Sequence, residues 1–300
     1  MQREGSAVVR GERTATFADV SIEEVRAYWD RRPCNIRHSP KPVGTREYFD
    51  EVEARKYFVE PHIPLFAQFE RWRDARVLEV GCGIGTDTIN FARAGAGVTA
   101  VDLSPLSLQI ARRRAEAYGL ADRIRLFAAN AEELSQVVPP EPYDLIYAFG
   151  MLHHTPRPHR VLAEFRRYSR PGTVLKLMVY HRFSWKVLEI VLGYGRGQVW
   201  KVRDLVARYS EAQEGSPVTL TYSRREMRDL VARYGFRVRE LFVEHIFPYR
   251  IPEYVRYEYK RAWYFQAMPR PLFRWLETHL GWHLCVTAVA EAGHGSAAAR

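Results

Sequence analysis

Short apolar runs alternate with amphipathic segments through the middle of the chain. The runs are four to seven residues long and are typical of strands buried on both faces of a parallel sheet. They occupy residues 76–80, 98–101, 124–129, 143–149 and 173–179. Between them apolar residues recur at helical spacing, as at Leu108, Ala111 and Ala115. This alternation of strand and helix predicts an α/β domain.

The first sixty residues predict helices and no strand. Ser21 and Glu24 form a capping box, which predicts a helix through about Arg31. The next stretch is rich in proline and aromatic residues, and further helices are predicted at 48–58 and 65–72. Long irregular segments in compact domains are often lids. We expect residues 1–60 to form an arm and a lid, with 1–18 loosely held; an extension that merely packs on the domain is the alternative.

The regular alternation pauses after the fifth predicted strand. Helices are predicted near 185–192, 198–209 and 223–234, and strands at 236–243 and 282–290 flank a stretch rich in aromatic residues. We therefore expect a core at 61–181 and a helical insertion that caps the acceptor at 182–222. The rest of the core is expected at 223–291, with an insertion at 246–281, followed by a disordered tail at 292–300.

A glycine-rich loop separates the first two predicted strands. Gly81, Gly83 and Gly85 stand at alternate positions, Glu79 precedes them, and Asp102 ends the next strand. Glycines let a backbone approach a ligand closely, and a carboxylate at a strand end can accept hydrogen bonds from two ribose hydroxyls. This order predicts a nucleoside-binding βαβ unit.

The details of the loop favour a cationic nucleoside over a dinucleotide. The dinucleotide fingerprint needs glycine where Thr86 stands, and Glu79 would repel a pyrophosphate. The stretch 78–104, LEVGCGIGTDTINFARAGAGVTAVDLS, resembles motif I and the following acidic motif of the class I S-adenosylmethionine-dependent methyltransferases that act on small molecules. The resemblance implies a Rossmann-like, seven-stranded, mostly parallel sheet with an antiparallel last strand, helices on both faces, and helical and aromatic insertions forming a cap. It also implies S-adenosylmethionine as cofactor and S-adenosylhomocysteine as product.

The same resemblance assigns roles to individual residues. Glu79 is expected to attract the ammonium end of the cofactor or to order the glycine loop. Asp102 is expected to hold the ribose, and Asn130 and Ala131 to meet the adenine. Asn130 stands where the family has an acidic residue, but an amide can both accept and donate. The full set expected at the cofactor is Glu79, Gly81, Cys82, Gly83, Gly85, Asp102, Leu103, Ser104, Asn130, Ala131, Glu132 and Phe149.

Candidate catalytic residues follow the fourth and fifth predicted strands. Open α/β sheets bind ligands at the carboxyl ends of their strands, where His153, His154 and His181 stand. Two neighbouring histidines cannot both point into a site. We favour His154 as a base or acceptor contact, with His181 second; a structural role for each is an equal alternative. A base is needed only if the acceptor must lose a proton. No histidine, cysteine and glutamate set has metal-ligand spacing, so no metal is expected.

Composition says little about the binding partner or the cellular location of the protein. The net charge of +10 and the pI of about 9.6 permit nucleic acid, an anionic membrane or an acidic substrate, and genomic bias towards arginine explains them equally well. Three cysteines without paired spacing, and no signal-peptide layout, favour a cytoplasmic location. No apolar run is long enough to predict a transmembrane helix. Monomer and homodimer both remain open.

These observations favour transfer of a methyl group to a small molecule, on oxygen or carbon. The aromatic insertions favour a planar or apolar acceptor, or are simply cap packing. No Asn/Asp-Pro-Pro-Tyr motif follows the fourth strand, so no nucleic acid is expected. Three alternatives stay open: an RNA or tRNA methyltransferase, suggested by pairs such as Tyr249 and Arg250; a non-catalytic S-adenosylmethionine-binding subunit; and a nicotinamide-dependent dehydrogenase, which Thr86 and Glu79 disfavour.

Overall fold

The computed structural model describes residues 17–210 and 215–292. Most of the predicted arm at 1–18 and of the predicted tail at 292–300 lies outside the described residues. The described part begins with a 3₁₀ turn, Phe17–Asp19.

One seven-stranded sheet organises the chain. Its strands are β1 (Arg76–Val80), β2 (Gly97–Asp102), β3 (Ile124–Ala128), β4 (Tyr143–Phe149), β5 (Ser169–Tyr180), β6 (Phe236–Glu244) and β7 (His283–Ala290). Their order across the sheet is β3-β2-β1-β4-β5-β7-β6. The first five strands pair in parallel, whereas β7 is antiparallel to both β5 and β6. The predicted fold class is confirmed.

Helices cover both faces of the sheet. They are α1 (Ile22–Arg31), α2 (Arg46–Val59), α3 (His62–Ala67), α4 (Thr86–Arg93), α5 (Pro105–Ala117), α6 (Pro158–Arg167), α7 (Trp185–Gly193), α8 (Val202–Tyr209), α9 (Arg224–Arg233), α10 (Ile251–Tyr254), α11 (Trp263–Gln266) and α12 (Arg270–Leu280). Neighbouring strand residues point to opposite faces, so Leu78 packs with Phe165 of α6 and Val231 of α9, while Val77 packs with Phe91 of α4. Both faces are therefore apolar, as a parallel sheet requires.

Three predicted elements have different bounds in the structure. The helix predicted at 198–209 is a 3₁₀ turn, Val199–Lys201, followed by α8. The helix predicted at 65–72 is instead α3 followed by a 3₁₀ turn, Phe69–Trp72, because Gln68 adopts a left-handed conformation between them (φ 56°). The Trp72 indole donates to the Ala67 carbonyl at 3.0 Å and fixes this break. Strand β5 begins at Ser169 rather than 173, since Ser169 already pairs with Tyr143 ahead of a register shift.

The topology directs several chain segments to one edge of the sheet. Strands β1, β2, β4 and β5 end there, and the antiparallel β7 begins there, with His283 opposite Tyr180. Helices α1 and α2 pack on the α4 and α5 side of this edge. No helix in the described ranges combines the length and the apolar character needed to cross a bilayer.

Candidate active site

A cavity of about 330 Å³ runs along the carboxyl edge of the sheet. At one end it is bordered by the glycine loop and by the ends of β2 and β3, through Gly83, Asp102 and Asn130. At the other end it is bordered by the end of β5 and the start of β7, through Tyr180 and His283. Its volume is in the range of small-molecule sites. One continuous space therefore joins the predicted cofactor residues to a second region near β7.

The glycine loop combines tight packing with an open surface. Gly81 has a φ of 80°, and a Cβ there would lie 2.5 Å from Cβ of Met151, so only glycine fits. Gly83 has a φ of 53°, but a Cβ there would meet nothing within 4 Å. Gly83 borders the cavity, whereas Gly85 packs on α5 outside it. The loop is held by Gly81 and Gly85 and presents Gly83 to a ligand.

Asp102 occupies the position predicted for a ribose contact. Its Oδ2 accepts the Gly83 amide and its Oδ1 accepts the Ser104 amide, both at 2.8 Å. Burial raises the pKa of the Asp102 carboxyl, while these backbone hydrogen bonds oppose that effect. Each carboxylate oxygen can accept a second hydrogen bond, and Asp102 borders the cavity. The side chain is thus fixed by backbone amides and keeps acceptor capacity at the cavity.

Glu79 lies behind the glycine loop and does not border the cavity. It is buried, and its Oε2 accepts the Thr88 hydroxyl of α4 at 2.5 Å. Burial, reinforced by the nearby Asp87 carboxylate, raises the pKa of Glu79 to about 8. A carboxyl that is mostly neutral at pH 7 attracts a cation only weakly. Of the two roles predicted for Glu79, its contacts support ordering of the loop.

Of the residues predicted at the cofactor in the turn after β3, two border the cavity and one does not. Asn130 and Ala131 border the cavity, and the Asn130 side chain accepts the Glu132 amide at 3.0 Å. Glu132 is buried outside the cavity, where it accepts the Thr155 hydroxyl and pairs with Arg157, each at 2.6 Å. Glu132 therefore fastens the segment after β4 and makes no contact with the cavity.

The remaining expected cofactor residues also fall into two groups. Cys82, Leu103 and Phe149 border the cavity. Ser104 does not; it caps α5, and its hydroxyl donates to Asp30 of α1 at 2.9 Å. Ser104 therefore joins the N-terminal segment to the end of β2.

The predicted histidines have different environments. His154 borders the cavity, with its Nδ1 2.8 Å from the Val218 carbonyl and its ring edge-to-face with Trp29. His153 is fully buried against Tyr180 and lies outside the cavity. His181 is buried with its Nδ1 3.3 Å from the Gly281 carbonyl, and it does not border the cavity either. Of these three histidines, His154 alone borders the cavity.

Several residues bordering the cavity carried no sequence signal. Lys56 comes from α2, Glu60 follows α2, Tyr180 ends β5, and His283 opens β7. Lys56 Nζ pairs with Asp87 at 2.6 Å. These side chains are distant in sequence and only meet at the sheet edge, so no motif spacing could have connected them.

Residues 77–172 match the family model described as a methyltransferase domain. The chain carries a class I S-adenosylmethionine-dependent methyltransferase domain. This confirms the resemblance inferred from the glycine loop. The matched segment runs from β1 to the bulge at the start of β5, so it contains the cofactor end of the cavity and excludes the β7 end.

Curated relatives match the same domain. The ubiquinone biosynthesis O-methyltransferase of Bordetella parapertussis is 38% identical over 118 residues, covering 39% of this chain and 48% of that protein. The sterol 4-C-methyltransferase of Caenorhabditis elegans is 28% identical over 119 residues, covering 40% of this chain and 34% of that protein. The chain thus spans about half the length, or less, of these relatives.

Solved structures share the architecture over nearly the whole chain. Magnesium protoporphyrin IX methyltransferase of Synechocystis with bound S-adenosylhomocysteine has a TM-score of 0.55 at 14% identity, covering 90% of this chain and 99% of that one. The (4+2)-cyclase SpnF also has a TM-score of 0.55, at 16% identity, covering 91% and 97%. These likenesses show the fold. Because a methyltransferase and a cyclase share it, the reaction must be argued from the site.

Proposed function

We propose that this chain transfers the methyl group of S-adenosylmethionine to a small-molecule acceptor, on an oxygen or a carbon atom. The observation that carries the proposal is the single cavity that joins Gly83 and Asp102 at one end to Tyr180 and His283 at the other. A transferase for two small reactants needs one continuous space of this kind. The cytoplasmic location remains a prediction.

The cofactor end of the cavity fits a nucleoside. Gly83 leaves open space where a side chain would stand, and the Asp102 carboxylate is held in place with acceptor capacity remaining. Asn130 and Ala131 border the cavity beyond Asp102, where a ring attached to the ribose would lie. When bound, S-adenosylmethionine supplies a methyl group already activated on a sulfonium. These residues therefore have only to bind and orient it.

Apolar and aromatic side chains also border the cavity. Among them are Val25 and Trp29 of α1 and Met178 and Tyr180 of β5. Such walls favour a planar or apolar acceptor and exclude water from the transfer. Holding two reactants in line can lower the barrier by about 7–11 kcal/mol without any further chemistry.

His154 is the residue placed to receive a proton. If its Nδ1 hydrogen is donated to the Val218 carbonyl, as the 2.8 Å distance favours, Nε2 is the accepting nitrogen. An acceptor hydroxyl near His154 would lose its proton to Nε2 as its oxygen becomes the nucleophile. His181 does not border the cavity and has no part in the proposed proton transfer.

Calorimetry with S-adenosylhomocysteine, followed by a methyl-transfer assay over a panel of phenols, quinols and hydroxy acids, tests the proposal. We expect binding to the wild type, and at least tenfold weaker binding to Asp102→Ala. Tighter binding of NAD than of S-adenosylhomocysteine would overturn the proposal. Cofactor binding without transfer to any panel member would favour the non-catalytic alternative.

The packing of the aromatic insertion speaks against a nucleic-acid acceptor. Tyr254 and Tyr257 enclose the buried Arg55 guanidinium, with ring centres 4.1 and 4.3 Å from its central carbon. Rings engaged in this way are not available to stack on bases. Binding of tRNA that weakens steeply with salt would contradict this argument.

A further inference from the structure

Three residues able to ligate one ion meet near β7. Glu60 follows α2, His245 follows β6, and His283 opens β7. One ligand atom from each lies within 4.8 Å of the other two. The sequence shows no set with metal-ligand spacing, and no metal is expected from it. The three residues are too far apart in sequence for a spacing motif, and the sheet edge brings them together.

The three ligand atoms lie close enough together to share one ion. They all fall within 4.8 Å of one another, and His283 Nε2 and Glu60 Oε1 are 3.6 Å apart. Bonds from zinc-like ions to nitrogen and oxygen are about 2.0–2.1 Å, so two ligands of one ion lie at most about 4.2 Å apart. The Glu60–His283 pair already satisfies this limit.

His283 has the support expected of a metal ligand. Its Nε2 faces Glu60, while its Nδ1 lies 3.0 Å from Nε2 of His62. Metal-bound imidazoles usually have their second nitrogen held by an outer partner, which fixes the ring and its tautomer. His62 fills that position here. Both His62 and His283 are buried.

The backbone of His245 provides an independent observation. Its φ is 75°, in the left-handed region that non-glycine residues rarely adopt. Its carbonyl accepts the Trp282 amide at 2.7 Å, which ties this conformation to the residue before His283. Such strain costs on the order of 1–3 kcal/mol and tends to persist at functional sites. At this position it directs a histidine into the cluster.

Charge and access also suit an ion. Glu60 and His283 both border the cavity, so an ion between them would be reached from the acceptor end. The neighbouring Lys56 ammonium is paired with Asp87 at 2.6 Å.

We propose that Glu60, His245 and His283 bind a first-row divalent transition-metal ion, and that this ion binds an oxygen of the methyl acceptor. Two histidines and one carboxylate form the set that Zn²⁺ and Fe²⁺ use when positions are left for a substrate. The open positions suit an acceptor with two neighbouring oxygens, such as vicinal hydroxyls or a hydroxyl beside a carbonyl. The part concerning the acceptor rests on the proposed function; the ion site does not.

The ion would act as a Lewis acid and supply no electrons. Its charge would favour loss of the acceptor's O–H proton, for which His154, bordering the same cavity, is the proposed base. The acceptor oxygen then forms a bond to the methyl carbon while the C–S bond of the donor breaks, leaving the neutral thioether. No oxidant or reductant is consumed.

Zinc binding to the full chain, made without a histidine tag and stripped with chelator, tests the site. We expect one equivalent of Zn²⁺ by calorimetry, and a Co²⁺ absorption spectrum characteristic of nitrogen and oxygen ligands. Glu60→Gln, His245→Gln and His283→Gln should each weaken Zn²⁺ binding at least 100-fold. His279→Gln, which alters an exposed histidine on α12, is the matched control and should bind Zn²⁺ like the wild type.

Affinity for S-adenosylhomocysteine, measured on each variant, separates loss of the ion site from loss of the fold. If the histidine variants fail to fold, Glu60→Gln, at a partly exposed position, decides the question alone. A wild type that binds no stoichiometric Zn²⁺, or a Glu60→Gln variant with unchanged Zn²⁺ affinity, overturns the ion site. A catechol that binds at least tenfold tighter to the zinc-loaded than to the stripped protein supports the acceptor class, and equal affinity overturns that part only. Failure to bind S-adenosylhomocysteine would instead refute the proposed function.

Discussion

Asp30 of α1 joins the N-terminal segment to Ser104, two residues beyond the predicted ribose contact. The Asp30 Oδ1 atom accepts the Ser104 hydroxyl at 2.9 Å and the Leu106 amide at 3.0 Å. A carboxylate beside the first turn of α5 is also favoured by the helix dipole. Because the Ser104 amide also donates to Asp102 Oδ1, this link helps to hold the predicted ribose contact in place.

Loss of the Asp30 link should weaken cofactor binding. Hydrogen bonds to a charged group contribute about 1.5–3 kcal/mol, and about 1.4 kcal/mol corresponds to a factor of ten. We expect Asp30→Ala to raise the Kd for S-adenosylhomocysteine about tenfold in calorimetry. Glu23→Ala, an exposed acidic residue on the same helix, is the control. Equal affinities in the two variants would mean that α1 does not act on the cofactor.

The two loop glycines should respond differently to alanine. Gly81→Ala forces a methyl group against Met151 at a positive φ, so we expect a loss of about 2–4 kcal/mol in the free energy of unfolding. Gly83→Ala has room for its methyl group, so it should lose only the backbone cost of a positive φ, about 1–2 kcal/mol, but it should bind S-adenosylhomocysteine at least tenfold more weakly.

Gly119→Ala is the control for the backbone cost in both glycine variants. Gly119 has a φ of 67° and open space around it, but it follows α5 away from the cavity. It should share the small backbone penalty and keep full cofactor affinity. Weakened binding in Gly119→Ala would show that strain alone explains the Gly83→Ala result.

The buried Glu79 carboxyl should make stability depend on pH. Its pKa is about 8 in the folded chain, against 4.5 for an ordinary glutamate, so the folded state holds a proton that the unfolded state releases. Stability from this group is therefore full below about pH 4.5 and falls as the pH rises towards 8. Glu79→Gln cannot lose that proton. Its Tm relative to the wild type should rise steadily between pH 5 and pH 8.

Glu116→Gln provides the comparison for the Glu79 titration. Glu116 is exposed on α5, so its replacement should leave the pH dependence of Tm as in the wild type. A difference between Glu79→Gln and the wild type that stays constant over this range would show that Glu79 is ionised in the folded protein.

Replacement of His154 should reduce turnover without reducing cofactor affinity. General bases typically contribute 10²–10⁴-fold, and we expect a loss of about that size in kcat for His154→Gln with a hydroxyl acceptor. His159→Gln, on the exposed side of α6, should keep wild-type kcat. His181→Gln should lower Tm rather than kcat, because that imidazole is packed outside the cavity. A normal kcat for His154→Gln would remove its proposed role.

Local sequence determined the sheet core and the cofactor end of the cavity. Each of those features is predicted by a pattern at the same place in the sequence. Apolar runs predict β1 to β5, and alternate glycines predict the loop. Asp102 follows directly from the end of β2. Local backbone preferences and the right-handed βαβ connection then leave little freedom in where these residues go.

Only the tertiary structure decided how Glu79, Glu132 and the histidines are used. Glu79 and Glu132 stand in the expected motif positions, yet burial and hydrogen bonds to Thr88 and Thr155 turn both away from the cavity. His245 and His283 come together with Glu60 because β7 runs antiparallel and begins where the parallel strands end. Which side chains meet at a sheet edge depends on strand order and direction, and these are set by packing over the whole chain rather than by spacing along it.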